Sequence, residues 1–527
     1  MCIEVFPTFI VREKKVAMIF SRKFLVILSF FAFLQTNAQD TTLIKNLMNE
    51  AFQSRELEKL GTELIDRIGP RLVGSPQMKR AHDWVIEKYK GWNITAENQQ
   101  WGQWRGWERG VSHIDMVFPR VQSLRGTQLA WSPKTPASGI TAEVVLIPFA
   151  ADPVQFKNEL NSIKGKLVMI SMPQMSGRPD DNWETFARKE TVEKMKSDRV
   201  KQAADWEEQM KKSGLDLRNI HTVLENAGAA GLISSYWSRS YGSNKIFGAT
   251  TRKIPVVDIS LEDYGILYRL VRDGQKPRLR ILADSKETGL QPTFNTMATI
   301  NGSQRPNEYV MLSAHLDSWD GGTGATDNGT GTIVMMEAMR LLKKWYPNPK
   351  RTIMAGHWGS EEQGLNGSRA FVKDHPEIVN SIQAVFNHDG GTGRINFING
   401  AGFLHGYDFL GRWISAIPGD VGSEIQAAYP GTPSTGGSDN ASFLPAGIPS
   451  YYLGTVNWSY GAVTWHTNLD TYDKIVFDDL KRSVITMAIL AYMASEEPEL
   501  VSREAIKLPR GIKWPEAKDA NRKGGVE

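Results

Sequence analysis

Thiol chemistry is all but missing from this chain. Its only cysteine is Cys2, so no intrachain disulfide can form and no multi-thiolate metal site can be built. A bound metal would have to be held by imidazole and carboxylate. Long apolar runs are scarce too: after one near the start, nothing has the length and hydropathy of a membrane span. Charge of one sign is nowhere concentrated, since 62 Lys and Arg are interspersed with 58 Asp and Glu for a net +4. A nucleic-acid surface would need a basic stripe, and there is none. What is present is ordinary globular composition, 41% hydrophobic and 23% charged, in 527 residues. That is enough chain for two or three domains.

The early apolar run reads as an address. Arg22 and Lys23 precede Phe24–Leu34, and the small residue Ala38 follows, the layout of a secretory signal cleaved near Ala38. The expectation is an exported protein, periplasmic or extracellular, with no membrane span in the mature chain. Residues 1–17 are unusual ahead of such a signal, which makes Met18 an alternative start.

Beyond it, apolar periodicity divides the chain. Helical spacing over 40–60 and 78–89 leads into a Trp-rich, strand-like region over 93–130. The texture then changes, with strand-like runs at 144–148, 166–170 and 254–259 and a highly charged helical stretch over 183–212. From about Gln291 the pattern becomes βαβ-like, with strands expected over 294–300, 308–314, 351–356, 383–387 and 448–456. Helices are expected over 330–345, 365–373 and 477–494. The expected division is a signal over 1–38, a catalytic domain in two parts (39–130 and 288–500), an inserted domain over 131–287 and a tail over 501–527.

The chemistry gathers in the second catalytic part. One apolar run ends at His315 and Asp317 and is followed by a Gly/Thr-rich loop with Asp327. A second ends at Glu361-Glu362, a third at Asp389, and a fourth segment carries His466. If these strands are parallel, their carboxyl ends converge and the five residues His315, Asp327, Glu362, Asp389 and His466 can meet. Five such ligands suit two divalent ions, one His and one carboxylate each plus a shared carboxylate. Two ions about 3.5–4 Å apart can hold a water between them and polarise a carbonyl. Glu361 diverges from Glu362 and is placed as the general base. Asp317 is the candidate to orient the His315 ring. Each piece alone has a plainer explanation: His-x-Asp is common, and a Glu pair before a helix is usually solvated. The remaining histidines, His357 and His388 included, are read as structural. Joint occurrence at strand ends is what favours a site.

Together these residues carry a resemblance. His315-x-Asp317, Asp327-Asn328-Gly329-Thr330-Gly331, Ser360-Glu361-Glu362-Gln363-Gly364-Leu365-x-Gly367-Ser368, Asp389, Gly437-Ser438-Asp439-Asn440-x-x-Phe443 and Trp465-His466-Thr467-x-x-Asp470-Thr471 resemble the co-catalytic zinc exopeptidases of the aminopeptidase and carboxypeptidase Q type. Gly69-Pro70-Arg71-x-x-Gly74-Ser75 looks like that family's opening segment. The resemblance implies an α/β fold, with a mixed, mostly parallel central sheet flanked by helices and an inserted β-rich, protease-associated domain. It implies two Zn²⁺ per chain, replaceable by Co²⁺ or Mn²⁺: His315 and Asp389 on one, Glu362 and His466 on the other, Asp327 bridging, and Glu361 as base. Ser438 and Asp439 would contact substrate. The implied activity is hydrolysis at the ends of short peptides, aminopeptidase or dipeptidase first. Carboxypeptidase specificity, a glutaminyl-cyclase-like acyl transfer and a non-catalytic receptor-like ectodomain are the alternatives, and a homodimer is left open. Two departures stand out: Asn328 where the family often has Asp, and Asn440 where relatives often carry His.

Overall fold

The computed structural model describes residues 41–506; the signal-like segment, its cleavage point at Ala38 and most of the tail over 501–527 lie outside the described residues. Among the described residues the strands are, in chain order, β1 (Thr95–Phe118), β2 (Gln122–Ser123), β3 (Gly126–Gln128), β4 (Ile140–Leu146), β5 (Leu167–Met169), β6 (Gly231–Ser234) and β7 (Val256–Ile259). They continue as β8 (Arg278–Ile300), β9 (Arg305–His315), β10 (Arg351–Trp358), β11 (Ile382–His388), β12 (Ile395–Asn399), β13 (Gln426–Ala428) and β14 (Ser450–Thr455). The spatial order is β13-β12-β14-β11-β9-β10-β8-β4-β5-β6-β7-β3, with β1 alongside β8.

Four central strands set up the site. β10, β9, β11 and β14 are mutually parallel, while β8 and β12 flank them antiparallel. The parallel strands are apolar on both faces because both faces are covered. Val310, Leu312 and Ala314 of β9 pack with the helices Thr330–Trp345 and Phe477–Glu496. Met311 points the other way, to a smaller core with Met354, Trp358, Phe371 and Phe443, as the two-residue strand period requires. The carboxyl ends of all four strands therefore open on one side of the molecule. The α/β architecture with a mixed, mostly parallel sheet is as expected.

The second unit hangs on two unusually long strands. β1 and β8 pair antiparallel over nearly their whole length, with bulges between Gln100 and Gly102 and between Arg109 and Ser112. Their near ends belong to the main sheet and their far ends to a second core. That core takes in Ile114, Met116 and Leu124, which lie before the expected boundary at 131. Here β4 to β7 run parallel, with β3 antiparallel at the edge. The unit carries more helix than strand, not the β-rich composition expected, because parallel neighbours need crossovers. The charged stretch expected over 183–212 breaks into Asp180–Phe186 and Lys189–Lys212. β12, β13 and the helix Gly406–Ser415 had no counterpart among the expected elements. No described helix is long and apolar enough to cross a membrane.

The last helix is fastened to the sheet by Arg351, fully buried at the start of β10. Its guanidinium donates to Glu308 Oε2 (2.7 Å) and to the carbonyls of Ala494, Ser495 and Glu497, which the helix end leaves without internal partners. We expect Arg351→Met to cost about 2–4 kcal/mol by stranding those carbonyls and Glu308. Denaturant unfolding with an unchanged midpoint would show the helix end to be held otherwise.

Candidate metal centre

Each parallel strand delivers its residues on leaving the sheet. His315 is the last residue of β9, Glu361 and Glu362 follow β10, and Asp389 follows β11. His466 stands on the loop after β14. Asp327 comes from the loop between β9 and the helix Thr330–Trp345, where the Asp327–Asn328 peptide is cis.

The five side chains meet. His315 Nε2 lies 3.2 Å from Asp389 Oδ1 and 3.3 Å from Asp327 Oδ1. His466 Nε2 lies 3.2 Å from Asp327 Oδ2 and 2.9 Å from Glu362 Oε2. The two oxygens of Asp327 thus face two imidazoles that reach it from opposite ends of the catalytic half. Donor atoms bound to one cation at about 2.0–2.1 Å in tetrahedral geometry lie about 3.3 Å apart, and the observed separations match. Asp327 Oδ2 and Glu362 Oε1 are buried and receive no hydrogen bond among the described residues. The donor set, two imidazoles and three carboxylates, suits zinc and excludes a thiolate site.

Electrostatics give the same reading. Burial raises the Glu362 carboxyl well above its ordinary range, and Asp327 adds to it. Burial likewise raises Glu361 strongly, with Asp389 and Asp439 adding to the rise against His315. Asp389 is raised by burial, against His315. At Asp327 burial also raises, but the hydrogen bond from His315 and the fields of both imidazoles win, and its carboxyl is held low. So many crowded carboxylates are stable together only beside added positive charge.

The surrounding shell holds these ligands in place. His315 Nδ1 lies 3.0 Å from the Asp317 carbonyl and 3.6 Å from its carboxylate. That carboxylate accepts from the backbone N–H groups of Glu361 (3.0 Å) and Glu362 (3.3 Å). Asp317 therefore orients the ring through its backbone and places the Glu pair through its side chain, one task more than expected. Asp470 accepts from the Thr326 and Asp327 N–H groups at 2.7 and 3.0 Å, and burial pushes its carboxyl up to about 7. Asn328 donates to the His388 carbonyl (2.8 Å) and accepts from Gly331 N–H (3.0 Å). An ionised Asp could not make the first of these bonds, so the departure at 328 suits its local role. Arg71, fully buried, donates to the carbonyls of Leu316 (2.6 Å), Gly324 (2.7 Å), Thr323 (3.0 Å) and Gly69 (3.1 Å). The loop wraps it closely enough that a Cβ on Gly324, at φ +62°, would meet Ser318 Cβ at 2.3 Å.

Ser438 and Asp439 part company. Ser438 accepts from Asn387 Nδ2 (2.8 Å), supports Asp389, and lines a cavity of about 260 Å³ with Asn399, Thr432, Ser434, Asn440 and Tyr452. Asp439, expected to contact substrate, does not line that cavity. It is fully buried beside the Ser368 hydroxyl, and burial pushes it up to about 7 against the field of His315 and that hydroxyl. Asp470, Tyr460 (whose hydroxyl lies beside Asp327) and Arg71 act here without having been singled out for it. Asp470 and Arg71 stood inside quoted motifs, and that was their only signal. His82 and His357 are structural: each is buried, bonds a hydroxyl at 2.8 Å and is pushed down to about 3.

Residues 295–491, which hold every one of these ligands, match the model of peptidase family M28. Over these residues the chain is of the M28 peptidase type. The chain is similar to carboxypeptidase Q. Rat (Rattus norvegicus) carboxypeptidase Q is 27% identical over 456 residues, 86% of this chain and 88% of the relative. Among solved structures, an M28 peptidase precursor from Shewanella amazonensis superposes with a TM-score of 0.66 at 24% identity, covering 90% of this chain and 99% of that one. A zinc aminopeptidase from Bacillus subtilis gives 0.54 at 20%, covering 84% and 96%. These two likenesses establish the shared M28 fold.

Asp470→Asn should weaken divalent-metal retention by about 10- to 100-fold, as loss of a group that orients a ligand does. Competition with a chromogenic chelator measures this. Unaltered retention would mean that Asp327 is placed without Asp470.

Proposed function

We propose that this protein is an exported dizinc exopeptidase that cleaves the terminal peptide bond of short peptides. The observation that carries the two-ion reading is the Asp327 carboxylate, one oxygen facing His315 and the other His466. His315 and Asp389 would hold one ion, His466 and Glu362 the other, with Asp327 shared. Ions bound there would polarise the scissile carbonyl and acidify a water. Glu361 would take the proton from a water held there and return it to the departing amine; Asp317 accepts from its backbone N–H and the Gly364 and Leu365 N–H groups donate to its carbonyl, while no hydrogen bond among the described residues ties down its carboxylate. The Tyr460 hydroxyl beside Asp327 is a donor at the edge of the same centre. Export rests on the basic and apolar residues ahead of Ala38. Short substrates are favoured because Phe247 and Trp319 stand edge-on to His466, with ring centroids 5.4 and 6.2 Å away, and narrow the approach.

Protein stripped of metal and reconstituted should bind about two zinc per chain by elemental analysis; one would remove the shared-carboxylate reading. Glu361→Gln should keep that metal content and lower kcat about 10²- to 10⁴-fold, the range of a lost general base. A variant turning over at the wild-type rate would take the base role away from Glu361.

A further inference from the structure

The second unit has a crevice of its own. It opens where β4 and β5, parallel neighbours, leave their sheet, the end at which parallel sheets build sites. The segments that follow β4 and β5 form two of its walls, and the helices Lys189–Lys212 and Leu261–Arg272 form the others. The cavity measures about 540 Å³, inside the range of about 300–1,000 Å³ common to small-molecule sites. It shares no residue with the metal centre.

Its lining has a one-sided chemistry. Four aromatic rings contribute to it, those of Phe149, Trp206, Tyr264 and Tyr268. Phe149 and Trp206 meet edge to face, with centroids 4.8 Å apart and planes at 84°. The Tyr264 hydroxyl is committed to Ser171, donating to its carbonyl (2.7 Å) and accepting from its N–H (2.9 Å), so what Tyr264 offers a ligand is its ring. Two acceptors stand among these rings without donors. Gln202 Nε2 donates to the Pro173 carbonyl (2.7 Å), which fixes the orientation of the amide and leaves Oε1 buried with no hydrogen bond. Asp205 lies three residues further along the same helix, on the same face. Its acidic neighbours Asp198 and Glu208 are paired with Lys194 (2.7 Å) and Lys212 (2.6 Å); the Asp205 carboxylate has no such partner among the described residues. No Lys, Arg or His lines the cavity.

Aromatic faces, a carboxylate without a counter-charge and an amide oxygen without a donor all favour positive charge carried on an apolar body. An anion would find no cation to meet it. We propose that this crevice binds a small organic cation, an ammonium on an aromatic or branched aliphatic body, with Asp205 and Gln202 Oε1 accepting its N–H groups and Trp206 flanking it. The second unit is then a binding module in its own right, and its ligand is recognised without any residue of the catalytic half.

Two probes of one shape test this on the metal-reconstituted full chain: 2-phenylethylamine, a cation at neutral pH, and 2-phenylethanol, its neutral counterpart. Titration calorimetry should show the amine bound about 10-fold more tightly than the alcohol, the scale of one charged hydrogen bond. Asp205→Asn should remove most of that preference and leave the denaturation midpoint where it is, because Asp205 is exposed. Asp205→Glu should keep the preference. Trp206→Leu should weaken the amine about 3- to 30-fold by taking away a ring face. Because a primary amine can also ligate zinc, the two variants locate the binding: an amine held at the metal centre would be indifferent to both. Equal binding of amine and alcohol, a preference that survives Asp205→Asn, or no binding of the amine at about 10 mM would each overturn the assignment.

Discussion

A single carboxylate shared between two imidazoles governs this molecule. Asp327 can face His315 and His466 together only if the loop after β9 and the loop after β14 are brought to one point, and β11 lies between those strands in the sheet. The parallel run of β10, β9, β11 and β14 does this by aligning their carboxyl ends. The surrounding polar groups serve the same end. Asp470 holds Asp327 by its backbone, Asp317 holds the two glutamates by theirs, and Arg71 gathers the glycine-rich loop between them. Crowding so many carboxylates in a buried space is costly without cations, so the ligand geometry and the need for metal are one constraint stated twice.

Much of the catalytic half was legible in the sequence. The apolar runs ending at His315, at Glu361-Glu362 and at Asp389 mark buried strands by continuous hydrophobicity, and the ligands sit where such strands leave the sheet. The helices over 330–345 and 477–494 were visible from their periodicity and appear within a few residues of expectation. Short edge elements were not: β12 is five residues long and β13 three, too few for a period to register. The boundary of the second unit was hard to read for a different reason. β1 and β8 each continue through both cores without a turn or a change of composition to mark the passage.

The residues that position the ligands escaped notice because their roles exist only in three dimensions. Asp439 and Asp470 are both buried aspartates, both inside quoted motifs, and both pushed up to about 7 by burial. Only the coordinates show that Asp470 binds the backbone of the shared ligand, while Asp439 sits beside the Ser368 hydroxyl.

The pairing of β1 with β8 carries an architectural corollary. The chain leaves the main sheet near Gly106 and comes back at Gly289, and these two glycines are direct cross-strand partners. A Cβ at Gly106 would fall 2.2 Å from Thr288 Oγ1, so the crossing point is tight as well as short. Everything between them is, topologically, one greatly enlarged hairpin loop. An ancestor with a plain two-residue turn there would have kept every neighbour in the central sheet, and acquiring or shedding the whole appendage would leave strand order and loop connectivity at the catalytic face as they stand.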